Sequence, residues 1–199
     1  CLGALVITAS HNPYNWLGLK IKSFNGCSVD ESFTSEVEKR LMLGNSIEKI
    51  DGVNQLVDIK KFHLDRIKSL FDIDYISNRL KKMKLRIFVD SMHGSAANCM
   101  AEIFASNDLE VISEIRKDAD PFFGGKPPEP LLNYVDDLNQ ILMKNSTNEV
   151  KTLGIIFDGD GDRIAAIDEK GRYSSTQDLL PYFISYLGEI KNNSYPVLK

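Results

Sequence analysis

The sequence lacks the features of several large classes of protein. It has no excess of positive charge, because 24 lysines and arginines stand against 28 acidic residues and the formal net charge is −4 at pH 7. Nucleic acids and anionic membranes are usually bound by a basic surface, so we expect neither as a partner. No apolar run approaches the roughly 20 residues that cross a bilayer. We also see no secretion signal and expect a cytoplasmic protein.

Cysteine is scarce. Cys1, Cys27 and Cys99 are odd in number, far apart and outside any metal-ligand spacing. We therefore expect reduced cysteines that contribute to packing. Internal repeats and low-complexity tracts are lacking too. With 199 residues, of which 43% are hydrophobic, the chain is long enough to form at least one complete core.

Acidic residues and glycines alternate in one stretch, DGDGDR, from Asp158 to Arg163. It lies between the apolar runs 153–157 and 164–167, which predicts a loop between two short buried strands. Three neighbouring carboxylates repel one another unless a hard cation binds them, and the intervening glycines let the backbone curl so that the carboxylates converge. Mg²⁺ is favoured if a phosphate shares the site. Arg163 cannot ligate a cation but suits a bidentate grip on a substrate phosphate.

Two other interpretations of this stretch are open at this point. Asp158, Asp160, Asp162 and Glu169 match positions one, three, five and twelve of an EF-hand loop. Against this, Arg163 stands where the sixth position needs glycine, and the flanks are strand-like rather than helical. The other alternative is an acidic, solvated turn that binds nothing.

Apolar periodicity predicts alternating strands and helices along the chain. We expect strands at 4–7, 19–22, 85–90, 109–115, 153–157 and 164–167. We expect helices at 35–43, from 58 to about 80, at 96–105, at 134–143 and from Thr176 or Asp178 to Leu187. Ser35 and Glu38 form a capping box that should begin the first helix.

This order of elements predicts an α/β protein. Residues 85–115 read as a βαβ unit, so the expected fold is a three-layer, mixed, largely parallel sheet with helices on both faces. We place a domain boundary near Val57, and the last helix could belong to a further domain. The first residue is Cys rather than Met, and the opening strand has nothing before it to pair with. We therefore interpret the chain as a fragment.

Ser10 lies in a polar loop directly after the first predicted strand. Rigid structure positions an exposed side chain there, which makes Ser10 a candidate nucleophile. A serine hydrolase is disfavoured, because the Gly-x-Ser-x-Gly elbow is absent and His11 should point elsewhere on an extended backbone. On local evidence, an ordinary loop serine and an ordinary surface lysine at Lys20 are the simpler interpretations.

Two motifs carry a family resemblance that outweighs those simpler interpretations. TASHNP at 8–13, followed by DGDGDR at 158–163, resembles the α-D-phosphohexomutase superfamily. DSMHG at 90–94 and FGGKPPEP at 123–130 also resemble its second domain, especially in the phosphoglucomutase/phosphomannomutase branch. The resemblance covers essentially the whole chain and implies the C-terminal part of domain 1 at 1–57, domain 2 at 58–172 and the start of domain 3 at 173–199. One departure is Trp16-Leu17-Gly18, where many members have Asn-Gly after a tyrosine.

The resemblance implies that a phosphoryl group moves between positions 1 and 6 of a hexose phosphate. Ser10 would carry the phosphate covalently, with His11 beside it and Lys20 as general acid/base. The sugar would pass through a hexose 1,6-bisphosphate intermediate. Arg163 would bind substrate, and Mg²⁺ would be held by the phosphorylated serine and three carboxylates: Ser10, Asp158, Asp160 and Asp162.

The family's sugar-hydroxyl loop and its fourth domain are absent from this sequence, so no motif specifies glucose, mannose or glucosamine phosphate. None specifies an oligomeric state either. We expect the isolated chain to be inactive, because half of the substrate contacts are missing. The alternative is a non-catalytic Mg²⁺-binding fragment or a degenerate homologue, which would carry no phosphate on Ser10.

Overall fold

The computed structural model describes residues 2–44, 52–105 and 111–192. Its strands, in chain order, are β1 (Gly3–Ile7), β2 (Leu19–Ser23), β3 (Leu85–Asp90), β4 (Ile112–Ile115), β5 (Lys151–Phe157), β6 (Ile164–Asp168) and β7 (Tyr173–Ser174). Its α-helices are α1 (Glu31–Met42), α2 (Ile59–Leu70), α3 (Ile73–Lys82), α4 (Cys99–Ile103), α5 (Asp136–Asn145) and α6 (Thr176–Ser185). A π-helical turn, Tyr186–Ile190, follows α6.

The first strands form a separate two-stranded sheet. β1 and β2 pair antiparallel, from Gly3 opposite Ser23 to Ile7 opposite Leu19. The loop between them, residues 8–18, begins with the TASHNP motif. No described residue from 2 to 44 is fully buried. The buried core therefore lies further along the chain.

A five-stranded sheet with the order β4-β3-β5-β6-β7 organises the rest of the protein. β3 is parallel to both β4 and β5, whereas β6 and β7 add antiparallel strands. Because β4 and β5 lie on opposite sides of β3, the chain changes direction at the carboxyl end of β3. Sheets of this kind bind ligands in the crevice at such a point.

Helices cover both faces of this sheet. Successive strand residues point to opposite faces, so Ile87 and Val89 of β3 join one core cluster while Phe88 joins the other. The first cluster includes Leu64, Leu80 and Ile103 from α2, α3 and α4. The second includes Val135, Leu138, Leu142, Ile156, Ala165 and Ile167. The protein is thus a three-layer α/β structure with a mixed sheet, as its sequence predicts.

The helical pattern that begins at Asp58 divides into two helices. The Asp58 carboxylate accepts a hydrogen bond from Lys61 N (3.0 Å) and caps α2. Phe71 then adopts an extended conformation, and Asp72 caps α3 by accepting from Tyr75 N (2.8 Å). Each aspartate satisfies a backbone donor that the first helical turn leaves unpaired.

The predicted capping box at Ser35 is wrong, because Ser35 lies inside α1. The helix begins after Asp30, whose extended backbone precedes the first helical residue, and Asp30 makes no side-chain cap. Glu31 occupies the first turn, where a negative charge is favoured by the helix dipole. The four residues before Ser35 are therefore compatible with helix, and the Ser-x-x-Glu pattern is coincidental.

The helix predicted at 96–105 is shorter in the structure. Asn98 adopts a left-handed conformation (φ 62°), so α4 begins only at Cys99. Two hydrogen bonds to β4 and the residues after it stabilise this conformation. Asn98 N donates to Glu114 of β4 (2.7 Å), and Asn98 Nδ2 donates to Lys117 O (3.2 Å). These contacts depend on the tertiary fold, which a local pattern does not report.

Other predicted bounds shift by smaller amounts. α5 begins at Asp136 rather than Tyr134, because Leu132–Tyr134 forms a 3₁₀ turn. β4 is described from Ile112, and positions 109 and 110 lie outside the described residues. Cys27 is exposed, so the expectation that it packs is wrong, while Cys99 is half-buried and both are free thiols. In the described residues, no helix has the length and apolar character needed to cross a membrane.

Candidate active site

The Ser10 loop, residues 8–18 between β1 and β2, is closed by a hydrogen bond from Thr8 N to Gly18 O (3.0 Å). Ser10 itself has a positive φ of 54°, which is uncommon for a residue with a side chain. Its backbone N donates to Thr8 Oγ1 (2.9 Å), and Asn12 N donates to Ala9 O (3.0 Å). The loop is therefore a compact turn that projects the Ser10 side chain outward from the hairpin.

The Asp loop, residues 158–163, is the tight connection between the antiparallel strands β5 and β6. Arg163 N donates to Asp158 Oδ1 (3.0 Å), and Gly161 N donates to Asp158 O (3.2 Å). Gly161 has φ 75°, a conformation that glycine adopts without strain. The strands that flank this loop rule out an EF-hand, which requires helices.

Two other segments hold the Asp loop at the carboxyl edge of the sheet. Gly159 N donates to Pro128 O (3.0 Å), and Ser95 N donates to Gly159 O (2.9 Å). A Cβ atom at Gly159 would collide with Ser10 O and would lie 2.9 Å from Pro128 Cγ. Glycine is therefore required here, because the Ser10 backbone and the Pro128 ring leave no room for a side chain.

The Ser10 loop and the Asp loop meet at the Asp160 carboxylate. Ser10 Oγ donates to Asp160 Oδ1 (3.2 Å), while Thr8 Oγ1 donates to Asp160 Oδ2 (3.1 Å). Lys20, on β2, brings its Nζ to 3.0 Å from Asp160 Oδ2 and 3.6 Å from Asp162 Oδ2. The predicted nucleophile, the predicted acid/base and two of the predicted metal ligands are thus adjacent.

His11 and Arg163 lie on either side of a residue that sequence reasoning missed, Glu129. His11 Nδ1 is 3.4 Å from Ser10 Oγ, and His11 Nε2 is 3.9 Å from Glu129 Oε1. Arg163 Nη1 is 3.7 Å from the same Glu129 oxygen. The expectation that His11 points away from Ser10 is therefore wrong, because the positive φ at Ser10 turns the backbone out of the extended conformation.

The three carboxylates of the Asp loop differ in their surroundings. Asp158 is fully buried whereas the Asp162 side chain is 59% exposed, so the loop is not uniformly solvated. Burial raises the pKa of Asp158, and the neighbouring carboxylates of Asp160 and Asp162 raise it further. Burial also acts to raise the pKa of Asp160, but hydrogen bonds from Lys20, Thr8 and Ser10 outweigh it and hold that pKa below its ordinary value. The hydrogen bond to Asp160 raises the pKa of Lys20.

The Asp loop fits a small, hard cation. Asp158, Asp160 and Asp162 present carboxylate oxygens within 4.8 Å of one another. Asp158 Oδ2 is buried and has no hydrogen-bond partner among the described residues. A buried anionic oxygen without a partner is costly, and a coordinated cation would satisfy it. An all-oxygen donor set is the kind that Mg²⁺ prefers.

A cavity of about 460 Å³ lies beside Arg163. Glu129, Tyr173 and the residues at the start of α6, Ser175, Thr176 and Gln177, also line it. Tyr173 donates from its hydroxyl to Pro130 O, and Glu129 and Pro130 of the PPEP segment at 127–130 form one wall of the cavity. The cavity is large enough for a small polar molecule and lies next to an exposed guanidinium.

Sequence reasoning did not identify Thr8 or Glu129 as site residues. Thr8 belongs to the same hexapeptide as Ser10, and a hydroxyl two residues before a candidate nucleophile was a usable signal. Glu129 stands between Pro128 and Pro130 in the PPEP segment. No neighbouring residue identifies Glu129 as a site residue, because the side chains that it faces, His11 and Arg163, are distant in the sequence.

Comparisons with known proteins find similar chains. The chain is 31% identical over 192 residues to phosphoglucosamine mutase of Methanococcus vannielii, covering 94% of this chain and 41% of that protein. It is 27% identical over 217 residues to Phosphoglucomutase 1 of Drosophila melanogaster, covering 95% of this chain and 38% of that protein. The chain thus spans about two fifths of the length of the curated relatives it matches.

Solved structures show the same fold. A phosphoglucomutase/phosphomannomutase family protein from Burkholderia thailandensis superposes with a TM-score of 0.75 at 22% identity, over 95% of this chain and 38% of that one. The family model for phosphoglucomutase/phosphomannomutase alpha/beta/alpha domain II matches residues 61–171, more than half of the chain, and the model for domain I matches residues 1–46. The chain belongs to the phosphoglucomutase/phosphomannomutase family, within the phosphohexomutase superfamily.

Proposed function

We propose that the protein moves a phosphoryl group between positions 1 and 6 of a hexose phosphate, with Ser10 as the phosphoryl carrier. One observation carries the proposal: Ser10 Oγ and Lys20 Nζ both bond to Asp160, inside a cluster of three carboxylates in which the buried Asp158 Oδ2 has no described partner. A reactive hydroxyl, a proton-carrying amine and a cation-binding cluster at one point suit phosphoryl transfer.

Four residues would hold Mg²⁺ in this arrangement. Asp158, Asp160 and Asp162 supply carboxylate oxygens, and a phosphoryl oxygen on Ser10 would supply another. When bound, Mg²⁺ would offset the negative charge that gathers on the phosphoryl oxygens. The same charge argument explains why three acidic side chains can tolerate a phosphate beside them.

The chain's own residues would perform the transfers. In the first half, the bond between phosphorus and Ser10 Oγ breaks while a bond to a sugar hydroxyl oxygen forms, which gives a hexose 1,6-bisphosphate. In the second half, the other phosphoryl group returns to Ser10. Lys20 is placed to move the proton between the reacting oxygens, because its Nζ lies in the same hydrogen-bonded cluster as Ser10 Oγ.

Arg163 would bind a phosphate of the substrate. Its guanidinium side chain is 43% exposed and lines the cavity of about 460 Å³ beside the Asp loop. Guanidinium groups suit bidentate hydrogen bonding to phosphate. The cavity would then receive part of the sugar, with polar groups from Ser175, Thr176 and Gln177 available for its hydroxyls.

The activity is proposed for the complete gene product, because the chain spans only about two fifths of its relatives. We propose glucosamine phosphate and glucose phosphate as the substrates to test first, since relatives are named for both. We propose that the protein is located in the cytoplasm. The 199-residue chain alone is expected to show no turnover, because a catalytic site missing part of its substrate contacts cannot hold the reactive geometry.

Intact-mass measurement of the complete gene product tests the proposal. We expect a fraction of the protein to carry one phosphate, lost in Ser10→Ala but kept in the control Ser69→Ala, which alters an exposed helix serine. Ser10→Ala should also lower turnover of both sugar phosphates by a factor on the order of 10⁶. Unphosphorylated wild-type protein without turnover would instead favour a non-catalytic Mg²⁺-binding protein.

A further inference from the structure

Glu129 places a negative charge beside a site proposed to bind phosphate. Its Oε1 lies 3.9 Å from His11 Nε2 and 3.7 Å from Arg163 Nη1, and its side chain is 27% exposed. A free carboxylate here would repel a phosphate dianion. Its presence is understandable if the charge serves to hold the two cationic or hydrogen-donating side chains on either side of it.

The backbone that carries Glu129 is rigidly mounted. Prolines at 127, 128 and 130 fix φ around it, and Glu129 N donates to Pro127 O (2.8 Å) while Leu131 N donates to Glu129 O (2.7 Å). Pro128 is fully buried and accepts from Gly159 N of the Asp loop. Pro130 O accepts from the Tyr173 hydroxyl. The backbone of Glu129 therefore has a defined position relative to the Asp loop.

Glu129, His11 and Ser10 form a row. His11 presents Nε2 to the Glu129 carboxylate and Nδ1 to Ser10 Oγ, at 3.4 Å. A carboxylate next to Nε2 favours the imidazole tautomer that carries its hydrogen on Nε2. Nδ1 is then left as an acceptor 3.4 Å from Ser10 Oγ, where it competes with Asp160 for the single hydrogen of the Ser10 hydroxyl. Glu129 therefore acts on Ser10 through the orientation of the His11 ring.

Glu129 also reaches the other half of the site. Arg163 leaves the Asp loop at the start of β6, and its Nη1 lies 3.7 Å from the same Glu129 oxygen that faces His11. An arginine held in one place loses less conformational freedom when it grips a phosphate. The single carboxylate thus links the Ser10 loop to the phosphate-binding arginine.

We propose that Glu129 is a positioning residue, which orients His11 toward Ser10 and holds Arg163 in place for the substrate phosphate. The inference deepens the proposed function and rests on it. Glu129 touches no reacting atom in this arrangement. Its effect acts through the His11 and Arg163 side chains, so replacing Glu129 should change both kcat and KM.

The test uses the complete gene product with Glu129→Gln, Glu129→Asp and the matched control Glu149→Gln, whose side chain is 82% exposed and contacts only Lys84 among the pairs described here. Glu129→Gln should lower kcat about tenfold and raise KM for the hexose phosphate a few fold, as misplacement of neighbouring groups does. Glu129→Asp keeps the charge and should retain more of both. Thermal unfolding of all variants separates these effects from loss of folding.

Double variants identify the route of the effect. In a His11→Ala background, Glu129→Gln should change kcat by less than about twofold, because coupled residues are not additive. In an Arg163→Ala background it should no longer change KM. A kcat for Glu129→Gln within about twofold of Glu149→Gln, or a full tenfold loss that persists without His11, would overturn the inference.

A spectroscopic measurement keeps this inference distinct from the proposed function. Long-range ¹H–¹⁵N correlation of the His11 ring, assigned with His11→Ala, should show the Nε2–H tautomer in the wild type and a changed tautomer population in Glu129→Gln. Unchanged tautomers would refute the positioning role even in an active enzyme. Absent turnover and absent Ser10 phosphate, together with the expected tautomer change, would refute the proposed function alone.

Discussion

Ser10 Oγ donates a hydrogen bond to Asp160 Oδ1 over 3.2 Å, although 150 residues separate the two along the chain. The contact joins the β1–β2 hairpin to the carboxyl edge of the five-stranded sheet. Thr8 and Lys20 bond to the same carboxylate, so Asp160 accepts three side-chain hydrogen bonds from the hairpin. Asp160 is therefore both a predicted metal ligand and the point where the two parts of the site meet.

Asp160→Asn should weaken Mg²⁺ binding at least about tenfold, because loss of a ligating carboxylate should cost no less than loss of an outer partner. Calorimetric titration of the complete gene product with Mg²⁺ measures this. The matched control is Asp65→Asn, an exposed aspartate on α2, far from the Asp loop in sequence. Equal Mg²⁺ affinity in the Asp160 and Asp65 variants would mean that the three aspartates are not the Mg²⁺ site.

Gly159→Ala should destabilise the junction between the two loops. A Cβ atom there would collide with Ser10 O and crowd the Pro128 ring, so the Ser10 loop or the Asp loop must move. Overpacking of this kind costs about 1–3 kcal/mol in the free energy of unfolding. Urea unfolding followed by circular dichroism gives this value. Gly188→Ala is the control, since nothing lies within 4 Å of its added Cβ, and a similar stability for both variants would contradict the prediction.

Leu142→Ala should destabilise the packing of α5 against β5, the strand that leads into the Asp loop. Leu142 is fully buried on α5, and its Cδ1 lies against Gly154 of β5, the strand that leads into the Asp loop. Removing a buried leucine side chain costs about 2–5 kcal/mol. Met143 is next to it on the same helix but is 63% exposed, so Met143→Ala should cost far less in the same unfolding experiment. Comparable losses for the two variants would show that α5 does not pack as described.

Much of the central fold could be predicted because its signals are local. The apolar runs on either side of DGDGDR correspond to β5 and β6, and LRIFVD corresponds to β3. These strands are buried, so their composition alone distinguishes them from loops. The grouping of the three aspartates followed from charge repulsion and glycine spacing, and the structure brings their oxygens within 4.8 Å of one another.

What could not be predicted depends on contacts between distant segments. The late start of α4, at Cys99, results from the left-handed Asn98 and its bond to Glu114. Glu129 belongs to the site through its proximity to His11 and Arg163. The orientation of His11 follows from the left-handed backbone at Ser10, a conformation that residues with side chains seldom adopt. The failed capping box at Ser35 shows the converse, since a correct local motif was overridden by a helix that begins earlier.

Limited proteolysis of the 199-residue chain should cut first between residues 52 and 58. Every described residue in that segment is exposed, and Leu56 and Val57 offer apolar side chains to chymotrypsin or proteinase K. Both core clusters lie between Leu64 and Tyr173, whereas no described residue from 2 to 44 is buried. The N-terminal segment therefore has little buried surface to protect it, and proteolysis follows the free energy of local opening.

Mass spectrometry of the digest should show a resistant fragment that starts near Val57 and retains β3 to β7. Phe88 is only 4% exposed and is the internal control, because cleavage there requires the sheet to open. Early cleavage inside β3, at a rate like that at Leu56, would mean that residues from about 58 onward do not fold as an independent core.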